Sequence, residues 1–148
     1  MINLLESKSL FAAFALFLLT PATQATTWFV LEAPEGVSGI TVEVDLESLR
    51  TRGEKRDVIT RISYPQAQKK QDISFRSVIA ELEISCESNL DIWKSVSYFQ
   101  SSYAQGIPLS SEKFGTAGIP KSVLKILPDK VWITLQKSAC GRNTTLFP

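Results

Sequence analysis

From Ile40 to Leu46 apolar and polar side chains alternate strictly, with Ile40, Val42, Val44 and Leu46 on one face and Thr41, Glu43 and Asp45 on the other. That period predicts a half-buried strand. Trp28 to Leu31 is a short apolar run set off by Pro34, Gly36 and Gly39, and predicts the other arm of a hairpin or a strand with a break. Val58, Thr60, Ile62 and Tyr64 form a second alternating run, expected to stop at Pro65 and to leave Gln66 to Asp72 as a polar loop. In the third run Val78, Ala80, Leu82 and Ile84 share a face with Cys86, so the phase aims this cysteine into the core. Asp91 to Tyr103 fits a helical spacing through Ile92, Val96, Phe99 and Tyr103, but its serine, valine and aromatic content predicts a strand. Strict alternation within it would put Tyr98 on the side opposite Trp93, Phe99 and Tyr103. Gly106, Pro108, Gly115, Gly118 and Pro120 then predict an irregular stretch that crosses a sheet edge. After Pro128, Asp129 is the expected N-cap of a helix with Val131, Trp132, Leu135 and Ala139 on one side and Gly141 as its stop. The predicted class is α+β, a mainly antiparallel β-sheet with a C-terminal α-helix packed on it as a second layer.

One segment stands outside this pattern. Leu10 to Leu19 is unbroken apolar sequence between Lys8 and Pro21, shorter than the ~17 to 25 residues that span a bilayer. With small residues at Thr23 and Ala25 it predicts a signal peptide over residues 1–25, cut before Thr26, and one domain over 26–148. A buried core helix is the weaker reading, because nothing before Leu10 would cap it. Export bears directly on Cys86 and Cys140: two thiols in an oxidising compartment are expected to pair. In the chain-entropy model their loop is worth roughly 4 kcal/mol. A catalytic thiol would want a histidine or a Cys-x-x-Cys spacing, and the chain has neither.

A net charge of +1 argues against a general nucleic-acid or anionic-membrane binder, and 44% hydrophobic with 21% charged residues argues for a folded chain. Asp45 with Glu47 and Glu81 with Glu83 have the spacing of acid–base pairs or cation ligands. Glu81 and Glu83 fall on the face opposite Leu82, where solvent is expected to keep both ionised, and catalysis wants carboxylates with pKa values pushed apart. Asp45 reads better as a turn residue accepting backbone hydrogen bonds. Without histidine there is no base for a serine nucleophile and little for a transition metal, so no enzyme, cofactor or metal is expected. Arg50, Arg52, Lys55 and Arg56 crowd a turn around Gly53, and Lys69 and Lys70 mark the polar loop after Pro65. These six are the candidate partner-binding residues, weighed against solvated loops, since short basic runs commonly serve solubility alone. Asn143-Thr144-Thr145 matches a glycosylation acceptor and is taken as coincidence in a bacterial exported chain.

Several pieces in order look like one family. Trp28, Val44-Asp45 followed by Ser48-Leu49 and Gly53, the strand ending in Cys86, the Tyr98 to Gly106 segment, and the Pro128-Asp129 helix closing on Cys140-Gly141 together resemble the surface-adhesin protein E family. The resemblance implies a bacterial exported domain, an antiparallel sheet with a disulfide-tied helix, and binding of a host matrix protein or glycan, with a homodimer as a candidate assembly. The named adhesin is lipid-anchored, whereas no cysteine follows Ala25, so periplasmic or secreted residence is expected beside surface display. A periplasmic structural or accessory protein is the rival reading, and an unrecognised hydrolase the rival from another class.

Overall fold

A computed structural model describes residues 26–31, 39–88 and 90–141. The expected signal peptide and the Asn143-Thr144-Thr145 triplet lie outside the described residues. Strands β1 (Trp28–Leu31), β2 (Thr41–Arg52), β3 (Lys55–Lys70), β4 (Ile73–Ser85), β5 (Ile92–Phe99), β6 (Ser110–Lys113) and β7 (Ile119–Pro120) precede one helix, α1 (Asp129–Cys140). The strands form one antiparallel sheet in the order β1 to β6, with β7 also pairing β5. The α+β class is therefore as expected. The even-numbered positions of the first three alternating runs line one face, where Val42 meets Ile62, Ile62 meets Val78, and Val58 meets Leu82 across the ladders.

Three irregularities shape the sheet. In β2 the register shifts between Asp45 and Arg50, leaving Leu46 to Leu49 opposite Val58 alone. Asp45 Oδ1 accepts from the Glu47 N–H at 3.0 Å, and the Ser48 hydroxyl donates to the Asp45 carbonyl at 2.6 Å and accepts from the Ile59 N–H at 2.8 Å. Ser48 thus stands in for the missing ladder partner, and Asp45 is the turn-forming residue expected of it. In β3 the shift between Ser63 and Gln68 leaves Tyr64 to Ala67 opposite Arg76. Pro65 sits in this bulge, where no ladder N–H is required, so the strand passes it. Gln66 to Lys70 is accordingly strand rather than loop, and only Gln71 and Asp72 turn the chain. The third is at Lys94, an extra residue between the Leu82–Trp93 and Glu81–Ser95 pairs. It reverses the phase of β5: Trp93 before it and Val96 and Tyr98 after it all enter the core. Tyr98 is thereby fully buried against Phe75, at 5.0 Å between ring centroids, rather than opposite Trp93.

The strand expected over Asp91 to Tyr103 ends at Phe99, and a single 3-10 turn, Ser102–Ala104, follows. Helix α1 covers the apolar face with Val131, Trp132 and Leu135 buried and Trp132 packed on Trp93 at 5.1 Å. Its N-cap is Pro128 rather than Asp129, which lies one residue further in and places its carboxylate in the positive first turn. Cys86 and Cys140 are joined, their Cα atoms 5.4 Å apart across a separation of 54 residues, and Gln136 donates to the Ser85 carbonyl beside them. The helix is thus tied to the end of β4, as predicted.

Candidate functional site

Only one face of the sheet is covered by the helix and the segment leading to it. On the other face, among the described residues, the 3-10 turn is the one element that leans over the strands. There Glu43 of β2 stands opposite Arg61 of β3, and both oxygens of the buried carboxylate accept from the guanidinium, at 2.6 and 2.7 Å. A bidentate pair of this kind fixes the plane of the arginine. That plane lies over the Trp28 ring, 4.4 Å from its centroid, and the Tyr103 ring is 5.7 Å away on the adjoining turn. A third N–H of Arg61 donates to the Tyr103 carbonyl at 3.3 Å.

Tyr103 is held in an unfavourable backbone state. Its φ of 58° and that of Ala104 at 53° put two consecutive non-glycine residues in the left-handed region, at a cost of roughly 1–2 kcal/mol each. What holds them is a pair of buried serines: the Tyr103 N–H donates to Ser63 Oγ at 2.9 Å and the Ala104 N–H to Ser77 Oγ at 2.8 Å, while Ser77 donates to the Ser101 carbonyl. Non-glycine strain concentrates where side-chain placement matters. Here it presents the half-exposed Tyr103 ring beside Arg61.

Glu83 corrects the expectation of a solvated carboxylate. It is 4% exposed and takes Lys55 at 2.6 Å, Arg52 at 3.0 Å and Lys94 at 3.4 Å, whereas Glu81 is exposed as anticipated. Burial pushes the Glu83 carboxyl up, but the Lys55 hydrogen bond and the Lys94 charge outweigh it and hold the group below the ordinary carboxylate value. The Asp57 and Glu83 carboxylates together hold the exposed Arg52 guanidinium charged, Asp57 through a two-pronged pair at 2.6 and 2.7 Å.

The six basic candidates divide accordingly. Arg52 and Lys55 are committed to Glu83, while Arg50 and Arg56 fold back on carbonyls, to Glu47 and Gly53 respectively, so all four stand at the β2–β3 turn. Lys70 is on the far end of β3, bonded to Glu112 and to the Tyr98 hydroxyl; burial lowers it, but these two partners leave it raised above the ordinary lysine value. Lys69 beside it is exposed. The two basic groups therefore occupy opposite ends of the sheet.

Sequence reasoning missed Asp91. This carboxylate is 1% exposed at the start of β5, accepting from the Ser85 N–H at 2.9 Å, Trp132 Nε1 at 2.6 Å and Lys121 Nζ at 3.0 Å. It joins β4, the segment before the helix and the helix itself, a structural rather than an accessible position. Arg61 and Glu43 were also missed as a site, although each occupies the polar phase of an alternating run.

Among the described residues no helix is long and apolar enough to cross a membrane. No curated protein and no solved structure matches the chain significantly. The family described as Surface-adhesin protein E matches residues 28–141, most of the chain, and spans the bulge motif, the disulfide and the Tyr103 turn. The chain belongs to the surface-adhesin protein E family.

Proposed function

We propose that this protein is an exported, non-enzymatic binding module that meets a macromolecular partner with the uncovered face of its sheet. The observation that supports it is the Trp28, Arg61 and Tyr103 array, three residue types that dominate binding hot spots, set in fixed positions by Glu43, Ser63 and Ser77. Side chains already ordered in the free protein lose little entropy on binding. A host matrix protein is the partner that family membership favours, with a glycan the alternative; export by the 1–25 leader and a single 26–148 domain belong to the same reading. Arg52 and Arg56 at the β2–β3 turn would add charge at the rim.

Affinity for an immobilised panel of extracellular-matrix proteins and sulfated glycans tests this. Trp28→Ala with Tyr103→Ala should weaken capture by the best member tenfold or more, with unchanged circular dichroism. Arg52→Glu with Arg56→Glu should weaken it less and flatten its salt dependence. Failure of the wild-type domain to bind any panel member would favour the periplasmic accessory role. A homodimer has a separate supporting observation. The β1 edge, Trp-Phe-Val-Leu, carries no charge or proline, whereas the opposite edge is guarded by Glu112, Lys113 and Pro120. Continuing the sheet through β1 of a second copy would use that edge, and Val30→Lys should then shift the sedimentation coefficient to that of a monomer.

A further inference from the structure

The segment between β7 and α1, residues 121–128, crosses the covered face and leaves two cavities of about 680 and 280 Å3 against β3. They adjoin, sharing Tyr64, Gln68, Leu124, Lys125 and Ile126, and the Tyr64 hydroxyl donates to the Ile126 carbonyl at 2.7 Å as a fixed post between them. The larger volume lies in the ~300–1,000 Å3 range of small-molecule sites. Ile40, Trp93, Leu127 and Trp132 line its apolar part, with Gln66 and Gln68 among its polar groups.

The charges around this space are unbalanced. Lys121 is neutralised by Asp91 and Lys70 by Glu112. Lys69 and Lys125, both exposed, have no carboxylate partner among the described residues, and Asp129 is the one acid lining either cavity. An apolar chamber with unpaired ammonium groups at its margin complements a molecule with an apolar body and one anionic end. Its position beneath a crossing segment suits a single free molecule rather than a membrane surface. We propose that these cavities form a binding site for a free long-chain carboxylate, its chain along the half-buried Ile40, Leu124 and Leu127 and its carboxylate at Lys125 and Lys69. This site is on the opposite side of the sheet from the Trp28, Arg61 and Tyr103 array, and its ligand is of a different class.

Dodecanoate below its micelle concentration is the probe, read by tryptophan fluorescence in a Trp28→Phe background so that Trp93 and Trp132 alone report. A saturable change in emission is expected, with dodecanol binding at least tenfold more weakly at equal chain length. Lys69→Gln with Lys125→Gln should weaken dodecanoate about tenfold and leave dodecanol unchanged; both lysines are exposed, so the thermal midpoint should hold. Absence of saturable binding, equal affinity for acid and alcohol, or an unchanged dodecanoate affinity in the double variant would each overturn the assignment. Tyr103→Ala should leave dodecanoate binding intact, which separates this site from failure of the matrix-binding reading.

Discussion

The two faces of the sheet are stabilised by different physics. On the covered face Val42, Ile62, Val78, Leu82 and Val96 share one buried core with Trp132 and Leu135, and a covalent bridge holds the helix down. Burial of this kind is non-directional and tolerates small shifts of any one side chain. The uncovered face buries two carboxylates, Glu43 and Glu83, each satisfied by cations from neighbouring strands, and stores backbone strain at Tyr103 and Ala104. Ion pairs are directional, and they are exposed to salt and pH where packing is not. The difference teaches that one face makes the domain stable while the other holds particular side chains in place, which is what a recognition surface requires.

The comparison breaks most visibly at the disulfide. Replacing Cys86 and Cys140 together by Ala should lower unfolding free energy by roughly 4 kcal/mol, the chain-entropy value for a loop of this length, measured by urea titration. Capture by the uncovered face should persist under native conditions, since that array lies on the face opposite the helix. Next is Asp91→Ala, expected to cost about 3 kcal/mol because Trp132 Nε1 and the Ser85 N–H lose their acceptor and Lys121 its counter-charge. That figure is at the low end for a buried pair because the Lys121 side chain keeps 32% of its exposure. Both changes strike the covered side.

On the other side Arg61→Ala should cost about 2 kcal/mol, since it leaves the nearly buried Glu43 carboxylate unpaired, and Arg61→Lys about half as much, through loss of the fork and the stacking on Trp28. Stability should also respond to acid through Glu83. Its folded value is depressed, so its contribution is complete above the ordinary value of 4.5 and is lost as pH falls through the lower folded value. Glu83→Gln should remove that part of the acid limb, an effect muted by the exposure of Arg52 and Lys55. A stability difference between the two proteins that stays constant as pH falls below 4.5 would contradict it. The smallest change is Ala104→Gly, which relieves the left-handed cost but adds chain entropy to the unfolded state, for a net gain of about 0.5 kcal/mol. Thermal melts resolve it, and a loss of stability there would mean that the turn is not strained.

Much of the fold was legible in the alternation of the first three runs, in the phase that carries Cys86 toward the core, and in the apolar side of α1. The parity of the hairpins was a further signal. Two-residue turns at Gly53-Glu54 and Gln71-Asp72 pair even-numbered positions with odd ones, yet the buried apolar residues of the runs 40–46, 58–64 and 78–84 are all even. Only an odd number of inserted residues reconciles turn with pattern, and both ladders shift by three. The position of the insertions was partly readable too, through Asp45 and Ser48 in one strand and Pro65 in the other. Lys94 offered no such mark, so the reversal of β5 and the burial of Tyr98 were not foreseen. The pairing of Glu43 with Arg61 was hidden for the same reason. Extending the tight turn without its bulge would set Glu43 opposite Tyr64 instead of Arg61.

What the chain determines by itself is therefore local and periodic: which runs alternate, which residues interrupt them, where the helix begins and ends, and which two cysteines are available to join. Tertiary structure alone decides which polar residues meet, because a shift of a few positions in register moves a side chain to a new partner or the other face. Glu43 with Arg61, Glu83 with its three cations, and Asp91 with Lys121 and Trp132 all join groups distant in sequence. Pairing between distant charges depends on the summed geometry of every turn and bulge between them, and no single window of sequence contains it.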